Sequence, residues 1–212
     1  MNPNAKILAD RVRRSGVAEA EQIAANVETA FGVATNFTSK AKAIRDNPRL
    51  SAAGHDEEIC RALKGGPLGH LAQLRGAVAA QLDAVTAKRA HAMQPPSLTP
   101  EQRAGDMVGE LQRAEIRAWL RGLEPAERLR TVLEAKEAAI REAALLAPPQ
   151  LSGLSDEHRG MLIEKIAQEK HGPALRAWER EEDALQTAAA AIDQAERELF
   201  SVAGVEKSAV SP

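Results

Sequence analysis

The residues best equipped for chemistry are few and scattered. His55, Cys60 and His70 are the one close group of soft metal-ligand types. Zinc sites usually combine Cys-x2–4-Cys with His-x3–5-His. His55 and Cys60 are five apart on an expected helix, which sets them on different faces, and the chain has no second cysteine. Cys60 therefore reads as a small apolar residue and no metal is expected. The segment Lys64-Gly65-Gly66-Pro67-Leu68-Gly69-His70 is glycine-rich and lies between helices. A phosphate-cradling loop needs its Lys-Ser/Thr pair after the glycines, at the start of the following helix. Here the lysine comes first and Pro67 removes an amide, so the segment reads as a helix break. His91, His158 and His171 fall near expected helix ends, where histidines are solvated or meet the terminal carbonyls. No serine, histidine and acid form a recognised catalytic motif. The chain is expected to carry no enzymatic activity, no catalytic residues and no cofactor.

Charge gives two further candidates. Glu181, Glu182 and Asp183 could form a cation or partner site, or a solvated helix face balanced by Arg176, Arg180 and Arg197 at helical spacing. Glu115 interrupts an apolar stripe of Met107, Val108, Leu111, Ile116, Trp119, Leu120 and Leu123. Either the stripe serves two partners divided by this carboxylate, or Glu115 pairs with an arginine in an interface. The totals of 28 basic and 30 acidic residues, a net charge of −2, show no basic excess. Arg11, Arg13 and Arg14 cluster without interleaved aromatics, so a solvated face is the default and nucleic acid is not an expected partner. A single cysteine forms no internal disulfide. Met1-Asn2-Pro3-Asn4 opens no secretory signal, and no apolar run approaches the length of a membrane span.

The elements that position these residues are helices. In 212 residues there are three Phe, two Trp and no Tyr, so the core must come from Leu, Ile, Val and Ala. Alanine favours helix and lets helix backbones approach closely. No stretch alternates for long enough to be a strand. The expected architecture is all-α, an elongated multi-helix bundle of long amphipathic helices with coiled-coil-like packing. Helices are expected over residues 5–14, 17–45, 51–64, 68–93, 99–123 and 125–147, then a shorter one after Ser155 ending at His171-Gly172-Pro173. Thr99 and Gln102 form a capping-box pattern around Pro100. The last helix, Pro173 to Val202, carries Trp178, Leu185, Ile192 and Leu199 at intervals of seven. That line must be covered, by the 99–147 hairpin or by another copy, and the hairpin of the same half is the expected cover. Tandem prolines at Pro95-Pro96 suggest an N-terminal helical unit 1–96, a C-terminal bundle 97–204 and a polar tail 205–212. Trp178, Leu185, Ile192, Leu199, Glu115 and Trp119 are the candidate packing or interface residues.

Two junctions carry a resemblance. Ile44-Arg45-Asp46-Asn47-Pro48-Arg49-Leu50-Ser51-Ala52-Ala53-Gly54 resembles a helix–turn–helix junction of small helical proteins encoded among the head and neck genes of tailed bacteriophages and prophages. Leu146 to Glu157 is similar to a second junction in the same kind of protein. The resemblance implies a virion structural or assembly role in the head or neck, including the head–tail connector, with no catalytic residues to carry over. It implies assembly in the bacterial cytoplasm and residence in the virion, with other virion proteins or further copies as partners. The alternatives are a cytoplasmic helical module that regulates one partner, and a scaffold that leaves before the particle matures.

Overall fold

The computed structural model describes residues 3–205, without the side chains at 103 and 104. All regular structure among the described residues is helical. Apart from Val205, the expected polar tail lies outside them. The helices are α1 (Pro3–Arg14), α2 (Ala20–Arg45), α3 (Ala52–Lys64), α4 (Pro67–Ala92), α5 (Pro100–Gly105), α6 (Met107–Gly122), α7 (Pro125–Glu134), α8 (Ala138–Leu145), α9 (Pro149–Ser152) and α10 (Asp156–Ala203). No helix is long and apolar enough to cross a membrane among the described residues.

Two compact units form. One is Met1–Lys88 with Arg176–Pro212, and the other is Arg89–Leu175. This grouping corrects the expected division into 1–96 and 97–204, because α10 supplies residues to both units. The physical reason lies in the seam of α10. Leu185, Ile192 and Leu199 are completely buried, in one core with Ala5, Ala9 and Val12 of α1, Phe31 and Phe37 of α2, and Leu71, Val78 and Val85 of α4. Trp178 packs half-buried at the edge of that core. The cover is thus N-terminal, and the 99–147 segment is not part of it. A helix whose buried row is mostly alanine, as in Ala184, Ala188, Ala191 and Ala195, admits other helices at close range and matches the alanine-rich inner face of α2. Polar bonds fix the register: Arg75 of α4 holds Asp193 at 2.7 Å and Glu196 at 3.0 Å on α10, and Arg45 of α2 donates to the Val202 carbonyl.

The expected break at His171-Gly172-Pro173 is absent, and α10 runs through Pro173. A proline inside a helix forfeits one hydrogen bond and crowds the carbonyl four residues back, at a cost of about 3 kcal/mol. Burial on both sides offsets it: Leu162 and Ala167 before the proline, Leu175, Ala184 and Leu185 after it. Ser15 ends α1 by donating its hydroxyl to the Val12 carbonyl at 2.6 Å. The chain then reverses at Gly16, where φ is +70°.

In the second unit two expected helices are each split. Asp106 interrupts the 99–123 segment and caps α6, its carboxylate accepting from the Gly109 amide at 3.1 Å. A side chain at Gly109 would collide with that carboxylate, since a Cβ there would lie 2.2 Å from its oxygen. Residues 135–137 separate α7 from α8. In one continuous helix Val132 and Ala144 would stand about 18 Å apart along the axis. With the turn between them both enter one small core with Leu120, Leu145, Leu154 and Leu162.

Aspartate in place of the fully buried Ile192 is expected to destabilise the first unit by on the order of 3–5 kcal/mol, since it leaves an unpaired charge inside. Aspartate at the exposed Gln186, close to Glu182, should cost under about 0.5 kcal/mol. Thermal melts followed by circular dichroism compare the two, and equal small effects would contradict burial of the seam by α1, α2 and α4.

Candidate interaction surface

The second unit has a small core, and arginines supply much of its remaining cohesion. A helix leaves its last four carbonyls without intrahelical partners. Arg128 of α7 donates to three carbonyls at the end of α6: Leu120 at 2.7 Å, Leu123 at 2.8 Å and Arg121 at 3.2 Å. It also donates to the Gly153 carbonyl after α9. Gly153 has φ +70°, and a Cβ there would lie 2.6 Å from the Arg128 guanidinium, so glycine is required on both counts. Arg159 of α10 holds the end of α8 in the same way, reaching Ala144 at 2.6 Å, Leu145 at 2.9 Å and Ala147 at 2.9 Å. Arg141 pairs with Glu169 and folds back to the Leu133 carbonyl at the end of α7. The planar guanidinium spreads five donors over a rigid fork and so spans carbonyls that are set apart, whereas an ammonium brings three donors to a single point.

Upon this frame α6 is turned with two of its arginines inward. Arg113 and Arg117 are only 8% and 6% exposed. They are four apart, and Leu120 follows three later on the same side. Arg113 binds Asp106 at 2.8 Å and Glu110 at 3.1 Å, and Arg117 binds Glu110 at 2.5 Å. The Arg117 guanidinium, helped by Arg113, holds the Glu110 carboxyl below its ordinary value of 4.5. The bond to Asp106 raises the Arg113 value further above its already high ordinary level.

The opposite side of α6 is apolar and open. Met107 is 75% exposed, Val108 69%, Leu111 63% and Trp119 49%. Met107, Leu111, Glu115 and Trp119 succeed one another at intervals of four, one row along the helix. Glu115 lies exposed in its middle, and its carboxylate makes no hydrogen bond or ion pair among the described residues. Of the expected stripe, Leu120 enters the core and Ile116 and Leu123 are half-buried, while the rest faces outward. Exposed apolar groups gathered in this way mark contact surfaces more often than scattered single ones do.

The six candidate residues therefore separate. Leu185, Ile192 and Leu199 lie in the core of the first unit with Trp178 at its edge, whereas Glu115 and Trp119 share the open face of α6 in the second. The sequence did not single out Arg113 and Arg117, although two arginines four apart with acids three and seven residues earlier were visible there. Elsewhere, the His55 ring meets the Asn47 carbonyl at 3.0 Å and Cys60 is a half-buried free thiol. No group of three or more His, Cys, Asp or Glu side chains suited to a metal ion occurs among the described residues. Comparison with protein-family models, with curated proteins and with solved structures finds no match.

Replacing Arg159 by lysine should lower the stability of the second unit by about 1.5–3 kcal/mol, the scale of hydrogen bonds to a charged donor. Urea unfolding measures it, and unchanged stability in the lysine variant would show that the spread of the guanidinium fork is not needed there. Glu110 and Glu169 both sit below their ordinary value, each chiefly through its arginine bond. Their unfolded forms bind protons more readily, so their contribution is present above about pH 4.5 and is lost as pH falls through the folded values. The melting temperature should drop on acidification below that point, and Glu110→Gln should flatten the drop. An unchanged acid profile in that variant would remove Glu110 from the explanation.

Proposed function

We propose that this chain is a structural or assembly protein of a tailed-bacteriophage particle, working through helix-mediated protein contacts in the head or neck. The observation that carries this is the rotation of α6: its apolar row faces outward while Arg113 and Arg117 occupy its inner side. An exposed Met, Leu and Trp row costs solubility unless a partner covers it. The resemblance at residues 44–54 and 146–157 directs the proposal to phage head and neck proteins. Both junctions are built from capping chemistry, with Ser51 accepting from the Gly54 amide and Ser155 from the His158 amide. Such junctions set the angle between successive helices without any demand for catalysis. The protein would be made in the bacterial cytoplasm and retained in the virion.

Leu111→Asp places a charge on the open row without touching either core. It should leave the thermal melt of the isolated protein within about 0.5 kcal/mol of wild type. In particles purified on a density gradient from cells producing the protein, the wild-type chain should be present in many copies and the variant strongly depleted. Presence in immature particles alone would favour a departing scaffold. A soluble one-to-one complex with a host protein, and no particle-bound chain, would favour the regulatory module and overturn the virion role.

A further inference from the structure

The open row of α6 carries one carboxylate with no base beside it to answer it. Arg113 and Arg117 are committed to Asp106 and Glu110, and Arg121 donates to the Leu151 carbonyl. Two copies meeting symmetrically through this row would oppose Glu115 to the apolar row or to its own twin. Either arrangement desolvates an unpaired charge, which is costly. A complementary surface must bring both a cation and apolar space.

The first unit has such a surface. A groove of about 570 Å³ opens between α1 and α10, lined by Ile7, Arg11, Arg14, Arg180, Asp183 and Ala184 among others. Arg13 is turned away to Glu21 at 3.0 Å and Glu28 at 2.9 Å, and lies 3.6 Å from Asp10, a second acid of the groove lining. Arg11 and Arg14 make no hydrogen bond or ion pair among the described residues. Arg180 spends only its Nε, on the Arg176 carbonyl at 3.2 Å. Three guanidinium groups thus line the groove with two carboxylates, Asp183 and the Asp10 that Arg13 approaches, and Ile7 stands 65% exposed at the rim. The groove is cationic with apolar walls, and the α6 row is apolar with one anion.

Resting on the assembly role above, we propose that copies of this chain associate head to tail. The α6 row of one copy seats Trp119 and Leu111 in the α1–α10 groove of the next, with Glu115 against Arg11 and Arg14. Trp119 gains an arginine over its ring as well as apolar contact, an arrangement guanidinium groups favour. Because the two surfaces differ, each copy keeps one of each free, and the chain of contacts closes into a ring or extends as a filament.

Charge exchange on the full-length protein tests this. By sedimentation velocity at low salt, wild type should form species larger than a dimer, and raised salt should weaken them. Glu115→Arg alone and the double variant Arg11→Glu/Arg14→Glu alone should each associate roughly tenfold more weakly. Mixed in equal amounts, they should recover association, since each row then meets a groove of opposite charge. Circular dichroism melts like wild type show that these exposed changes leave the fold intact, and Glu115→Gln with Arg11→Ala/Arg14→Ala serve as milder versions of the same pair. A wild-type protein that stays monomeric, or a mixture that does not recover, overturns head-to-tail association. If in that case Leu111→Asp is still lost from particles, the assembly role stands and another protein covers the row; if it is retained, both fail.

Discussion

Arg113 and Arg117 reach back along α6 to Asp106 and Glu110, and this set of bonds lets both guanidinium groups lie buried on the inner side of the helix. The same Asp106 caps the helix through the Gly109 amide, so one carboxylate both starts α6 and answers a buried arginine. These partners lie on α6 itself and turn with it, so they satisfy the guanidinium groups at low cost, while burial of Leu120 sets which side of the helix faces inward. The outward row of Met107, Leu111, Glu115 and Trp119 lies on the side of the helix away from Leu120 and the two arginines. Leu120 is the fully buried apolar side chain of α6 in the core of the second unit, with Ile116 packed against it.

The two units reach cohesion by different means. In the first, alanine faces on α2 and α10 bring long helices close, and a continuous core of Leu, Ile, Val and Phe does most of the work. In the second the core is small, and Arg128, Arg141 and Arg159 tie helix ends together by filling carbonyls that short helices leave bare. Short helices have proportionally more such carbonyls, so α7, α8 and α9 gain most from this device. A unit held in this way depends on hydrogen-bond geometry more than on apolar area. That makes the second unit the more sensitive to single arginine replacements.

What the sequence made legible was local. The Thr99–Gln102 capping box, the helix start after Ser155 and the stops before Pro48 and Pro67 depend on neighbours within one turn, and each occurs in the structure. Three features were hidden because they depend on distant residues. Helical continuity through Pro173 rests on burial at both ends of α10. The turn at 135–137, in a stretch of strong helix formers, rests on bringing Val132 and Ala144 into one core. The cover of Leu185, Ile192 and Leu199 comes from α1, α2 and α4, far away in the chain. The α6 row was legible as a pattern but not as an open face, since periodicity fixes which residues share a side and not which side is covered.

The exposure of Trp119 is the point at which the rotation of α6 and its use as a contact surface meet. With Trp178 replaced by phenylalanine, Trp119 is the sole tryptophan, and acrylamide quenching of its fluorescence reads its access to solvent. In dilute, dissociated protein Trp119 should be quenched readily, with the emission of a solvated indole. In assembled protein its quenching should fall and its emission shift to shorter wavelength. A Trp119 already shielded in the dissociated chain, or one equally open in both states, would contradict an outward row that assembly covers.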